Sequence, residues 1–200
     1  RFKYKFQYDA KLLLKMISKE SNKIKKEFDF WHNHLKKLKK TYPNLENCHL
    51  DIPGDEFINS YSFISKLGAK AKPNTTFVTD MGTALISAFQ ILNPQNGQKL
   101  FSSQGLGEMG YGLPGAIGAW FANKNREIIC LNCDGGLMMN LQDLQTVIHN
   151  EIPMKIIIFN NDGYLMIKHT QDAIVNGRRA GTDKESGLSC PNYKKIADAF

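Results

Sequence analysis

Two apolar runs, "EIICLN" (127–132) and "KIIIFN" (155–160), limit what this chain can fold into more than any other feature. Residues 156–159 are consecutive apolar side chains, followed at once by Asn160, Asn161, Asp162 and Gly163. A run that short and that uniformly apolar reads as a strand buried on both faces, as in a parallel sheet. "TFVTD" (76–80) and "KLFSS" (99–103) also read as strands. Helical stretches fall around them: near 54–68, from about Thr83, over "GLPGAIGAWFA" (112–122) and near 140–149. Strand and helix alternate four times with short connections. The expected fold class is α/β, a doubly wound, mainly parallel sheet with helices on both faces. Such sheets place ligands at the carboxyl ends of their strands.

The amino-terminal part has a different character. Residues 1–43 hold 13 Lys/Arg against 4 Asp/Glu, a net of +9, within a chain whose formal charge is +7. "FKYKFQYD" alternates with period two and reads as a short strand. Asp9 is placed to cap a helix over roughly 10–18, and a second amphipathic helix is expected over roughly 22–41. Its lysines form a solvated face around Leu, Ile, Phe and Trp at helical spacing, so no nucleic-acid partner is expected. His32 and His34 lie on that face. "YPNLENCHLDIPGDE" (42–56) is rich in turn formers and reads as a linker. The expected division is 1–42, 43–73 and 74–200.

No apolar run approaches the roughly 20 residues of a membrane helix, and the start has no signal-peptide core. Cys48, Cys130, Cys133 and Cys190 fit a reducing cytoplasm, with the Cys130–Cys133 pair read as buried structural thiols. The absent initiator Met, a last helix cut at the final residue and the lack of a final strand suggest a piece of something longer.

Asp134 follows one predicted strand and Asn161 the next, 27 residues later. If those strands are neighbours, both side chains emerge at the same sheet edge. A carboxylate, an amide oxygen and a backbone carbonyl near Gly163 make a hard, oxygen-only set suited to Mg²⁺, whose remaining positions water and substrate phosphates would fill. Gly135 and Gly136 can bring backbone N–H groups close to such phosphates.

This Asp-Gly followed at fixed spacing by Asn-Asn resembles the signature of thiamine-diphosphate-dependent enzymes, with Cys133 in place of that signature's first glycine. "SSQGLGEMGYGLPGAIGA" (102–119) and "LMMNLQDLQTVIHNEIPMKIIIFNNDGYLMI" (137–167) resemble the acetolactate-synthase-like branch. The resemblance covers roughly 74–200, the pyrophosphate-binding domain. Residues 1–42 resemble the closing strand and helix of a preceding middle domain. It implies Mg²⁺ held by Asp134, Asn161 and the Gly163 carbonyl. It implies diphosphate contacts from Gly135 and Gly136 on one side and from Gly82 and Thr83 on the other. Asn161 and Tyr164 complete the cofactor-binding set. Gly107 would accept a hydrogen bond from the cofactor's 4′-amino group, and Met109 would wedge between its rings; these two are the implied catalytic residues.

The resemblance also implies decarboxylation of a 2-oxo acid with carboligation to an acceptor carbonyl, by an enzyme of the transferase or lyase type. The glutamate that activates the cofactor would come from an N-terminal pyrimidine-binding domain of a partner subunit. A homodimer or homotetramer follows, with this segment inactive alone. Two departures leave other outcomes open. Thr83 and Ala84 replace the Gln-His of acetolactate synthases proper and look like the Gly-Thr-Ser of pyruvate-decarboxylase-type members. Thr170 stands where a pocket tryptophan is expected. A simple 2-oxo acid decarboxylase, or a relative acting in sugar or surface-polysaccharide biosynthesis, is the alternative. Gly105, Gly107 and Gly110 also match the dinucleotide fingerprint, with Glu127 about 20 residues on; an NAD enzyme and an inactive binding homologue are the remote readings. His169 and Lys168 are candidates for substrate contact at the pocket mouth.

Overall fold

The computed structural model describes residues 3–21, 28–51, 54 and 56–200. The chain forms two compact units, Arg1–Pro43 and Asn44–Phe200. The first holds α1 (Ala10–Glu20) and α2 (Asp29–Thr41), and neither helix buries a side chain. Asp9 caps α1 as expected, its carboxylate accepting from the Leu12 N–H at 3.0 Å. The expected strand over 2–9 is a correction. Among the described residues 3–9 there is no strand, because a single alternating segment has no edge in this unit to pair with. The start of the expected second helix, 22–27, lies outside the described residues.

The second unit is a four-stranded parallel sheet. Its strands are β1 (Thr76–Thr79), β2 (Lys99–Phe101), β3 (Ile128–Cys133) and β4 (Met154–Phe159), in the order β2-β1-β3-β4. The helices are α3 (Ser60–Lys70), α4 (Thr83–Ile91), α5 (Gly112–Ala122), the single turn α6 (Asp134–Leu137), α7 (Leu144–His149), α8 (Leu165–Val175) and α9 (Tyr193–Ala199). Helix α8 is absent from the sequence reading, and α3 starts later than expected because Asn59 caps it, accepting from the N–H groups of Tyr61 and Ser62. Among the described residues, no helix is long and apolar enough to cross a membrane.

Every residue of β3 is buried, which is why its sequence shows no polar alternation. Its side chains still alternate between two cores. Ile129, Leu131 and Cys133 pack with Phe77, Ile64, Ala84 and Ala88 on the side of α3 and α4. Ile128 and Cys130 pack with Val78, Ala116 and Trp120 on the side of α5. The sheet is therefore covered on both faces, each large apolar side chain contributing roughly 1.5–3 kcal/mol by burial. After β1 the chain moves outward to β2 and then crosses to β3. The carboxyl ends of β1 and β3 consequently open onto a crevice at the point where the winding reverses, the place where α/β sheets take ligands.

Candidate active site

Asp134 is the first residue after β3 and is fully buried. Strands β3 and β4 pair in register with Cys133 beside Phe159, so the chain leaving β4 passes directly over Asp134. The Asn161 N–H donates to Asp134 Oδ2 at 2.9 Å, and the Gly163 N–H donates to the same oxygen at 3.1 Å. The Gly135 N–H holds Oδ1 at 2.7 Å. A fourth bond comes from far along the chain: the Tyr193 hydroxyl on α9 donates to the Asp134 carbonyl at 2.5 Å.

Asn161 supplies the second oxygen. Its Nδ2 reaches Thr83 Oγ1 at 3.5 Å, while its Oδ1 is buried and has no hydrogen-bond partner. A buried amide oxygen without a donor costs about 1–3 kcal/mol, so this atom calls for a ligand. A cation beside Asp134 would satisfy it and would neutralise a buried carboxylate at the same time.

The surrounding backbone is shaped for close approach. Gly82 starts α4 at φ 91°, a conformation that side chains rarely adopt. A Cβ on Gly135 would lie 2.1 Å from the Tyr164 ring, and a Cβ on Gly136 would lie 1.6 Å from Asp80 Oδ2. These glycines keep the floor of the crevice low. The result is a cleft of about 300 Å³. Gly82 and Thr83 line one wall, Asp134, Gly135 and Gly136 the floor, and Asn161, Gly163 and Tyr164 the opposite wall. Gly107 and Met109 reach it from the glycine-rich segment after β2. Every residue of the expected cofactor and cation set thus borders one cavity. A wider cavity of about 630 Å³ adjoins it across Thr83, Asn161 and Leu165, lined mainly by residues within 48–51 and 56–63 and by the end of β4. The narrower cleft holds the convergent carboxylate, amide and glycine backbone, and so it is the candidate site.

Three residues that the sequence reading did not single out shape the cleft. Asp80, at the end of β1, is buried and takes the Gly112 N–H on Oδ1 at 3.3 Å, while its Oδ2 has no partner. Burial pushes its carboxyl above the ordinary aspartate value, against the pull of the N–H groups of Gly112, Met81, Gly110 and Tyr111. Asn140 Nδ2 donates to the Gly110 carbonyl at 2.6 Å and so ties down the glycine segment that carries Gly107 and Met109. Tyr193 is the third. A carboxylate at a strand end was a usable signal for Asp80. Nothing local marks Asn140 or Tyr193.

Other expectations are corrected here. Lys168 and His169 do not line the cleft. Lys168 Nζ turns to Asp183 Oδ2 at 3.9 Å, and His169 is exposed. Glu127, the acid of the dinucleotide reading, stands at the opening end of β3, away from the glycine segment. There it accepts from Thr75 Oγ1 at 2.9 Å and pairs with Lys155, which holds its carboxyl below the usual range. It cannot serve a ribose at the other end of the sheet.

Fold and cleft together define an α/β domain with a binding cleft at the carboxyl ends of its strands. Residues 80–200 match the family model described as thiamine pyrophosphate enzyme, C-terminal TPP binding domain. The chain belongs to that family. It is 37% identical over 204 residues to an acetolactate synthase large subunit of Cyanidium caldarium, covering 96% of this chain and 32% of that protein. It is 34% identical to the corresponding subunit of Pyropia yezoensis, covering 85% of this chain and 27% of that protein. With the acetolactate synthase isozyme 1 large subunit of Escherichia coli it shares 33% identity, covering 72% of this chain and 25% of that protein. The chain spans between a quarter and a third of the length of these relatives.

Proposed function

We propose that this chain is the pyrophosphate- and cation-binding part of a thiamine-diphosphate- and Mg²⁺-dependent enzyme of the acetolactate-synthase type. The reaction is decarboxylation of a 2-oxo acid, with transfer of the remaining acyl fragment to an acceptor carbonyl. One observation carries the reading: the unpartnered, buried Asn161 Oδ1 beside the buried Asp134 carboxylate in a glycine-floored cleft. That pair, with the Gly163 carbonyl, is a hard oxygen set of the kind Mg²⁺ takes.

When bound, thiamine diphosphate supplies the electron sink for the carbon–carbon bond that breaks. This chain's residues do the rest by position. Asp134 and Asn161 hold the cation. Gly136, at the start of α6, and Gly82 and Thr83, at the start of α4, would offer backbone N–H groups to the diphosphate, while Gly135, whose own N–H holds Asp134 Oδ1, would leave it room to approach. The Gly107 carbonyl, at the cleft, would accept from the cofactor's amino group. Met109, which lines the cleft, would pack against the cofactor and help keep water out. The glutamate that activates the cofactor belongs to a pyrimidine-binding domain of a partner subunit, so the working unit is at least a dimer in a reducing compartment.

Thr83 and Ala84 favour a second outcome, release of an aldehyde instead of transfer, since they resemble decarboxylase-type members of the family. The test uses the full-length protein. Mg²⁺ and thiamine diphosphate added together raise the melting temperature, and EDTA reverses the effect. A hundredfold excess over Kd stabilises by about 2.7 kcal/mol. Pyruvate then yields CO₂ together with a hydroxy-oxo acid for transfer or acetaldehyde for release. No stabilisation by the pair would overturn the reading.

A further inference from the structure

Asp134 has three oxygens, and each is held. Its carboxylate is gripped by the neighbouring backbone of Gly135, Asn161 and Gly163, but its carbonyl is held by the Tyr193 hydroxyl, 59 residues away. That hydroxyl sits on a short helix with its own start signal, Asn192 Oδ1 accepting from the Lys195 N–H at 3.1 Å. Carboxylate and carbonyl belong to one residue at the junction of β3 and α6. Fixing the carbonyl fixes the peptide plane, and with it the direction in which the side chain leaves the backbone.

We propose that Tyr193 is a positioning residue for the cation: its hydroxyl sets the orientation of Asp134 from the carbonyl side and so couples α9 to cation affinity. The inference rests on the cation reading above. Tyr193 touches neither cofactor nor substrate in this scheme; it acts through Asp134, with the Cys190 thiol beside its hydroxyl. Groups that orient metal-ligating side chains typically change metal affinity by 10–100-fold when removed. A hydroxyl that acts through a backbone carbonyl belongs at the low end of that range.

Tyr193→Phe in the full-length protein removes one oxygen and keeps the ring. Lys194→Ala, an exposed neighbour on the same helix, is the control. Mg²⁺ is titrated at saturating thiamine diphosphate, and thiamine diphosphate at saturating Mg²⁺, both by calorimetry. The electron-spin signal of bound Mn²⁺ reports the coordination directly. Tyr193→Phe weakens Mg²⁺ about 10-fold and broadens the Mn²⁺ signal. Its thiamine diphosphate affinity at saturating cation is unchanged, and Lys194→Ala alters neither constant. Unchanged Mg²⁺ affinity in Tyr193→Phe overturns the inference. An equal loss in both constants also overturns it, because general loosening of the fold would act on both. If the wild-type protein itself binds neither ligand, the functional reading falls first, and that result is distinct from a failure confined to the variant.

Discussion

Asp80 and Gly136 are packed so closely that each dictates the other: a Cβ on Gly136 would overlap Asp80 Oδ2. The carboxyl is fully buried, and only one of its oxygens has a donor. Burial therefore raises its ionisation above the ordinary aspartate value of 3.8. An acid of this kind binds its proton more tightly in the folded state than in the unfolded one. Its contribution to stability is fully present below 3.8 and is lost as pH rises through the folded-state value. Each tenfold change in proton affinity is worth on the order of 1.4 kcal/mol. Asp80→Asn keeps an oxygen for the Gly112 N–H but cannot ionise. Urea melts across this window should show wild-type stability falling with pH relative to Asp80→Asn. Parallel curves for the two proteins would refute the assignment.

Elements were legible where burial left its mark on composition. Strand β3 is apolar because it lies between covered faces, whereas β4, expected to be buried on both faces, is the edge strand and only half-buried; α5 begins and ends where "GLPGAIGAWFA" does. The same logic puts Asp134 and Asn161 at two successive strand ends; that the two strands are neighbours comes from the pairing of β3 with β4. What escaped depends on distant partners. The 2–9 segment alternates like a strand, yet a strand exists only where another edge accepts it. Tyr193 meets Asp134 through a fold-back that no local pattern encodes. Strand β3 also carries Cys130 and Cys133, and burial pushes both thiols up to about 12. At neutral pH only about 10⁻⁵ of each is thiolate, so neither reacts while the strand is in place. Iodoacetamide should label exposed Cys48 on the native protein and reach Cys130 and Cys133 only after denaturant is added. Mass spectrometry of timed samples checks this. Early labelling of Cys133 would mean that the crevice opens far more than its packing implies.

At the scale of the whole molecule, the two units differ in what holds them. Residues 44–200 enclose two apolar cores on either side of a sheet. Residues 1–43 contain helices of 11 and 13 residues with no buried side chain. Helices of that length without tertiary burial are marginal in water. Leu14, Phe30 and Trp31 are among their exposed side chains, at 66%, 83% and 54%. The 13 Lys/Arg in this unit make it the richest source of trypsin sites per residue. Brief trypsin treatment should therefore cut first within 1–43 and leave a resistant product that begins beyond it. Proteolysis samples the open population when opening is fast, so the order of cuts reports local stability. Mg²⁺ and thiamine diphosphate together should slow the later cuts within 44–200, because every contact proposed for them on this chain lies in that unit, and leave the first cuts unaffected. Amino-terminal sequencing of the fragments decides the matter. First cuts inside 44–200, or ligand protection of 1–43, would show that the amino-terminal helices share in the stability of the sheet.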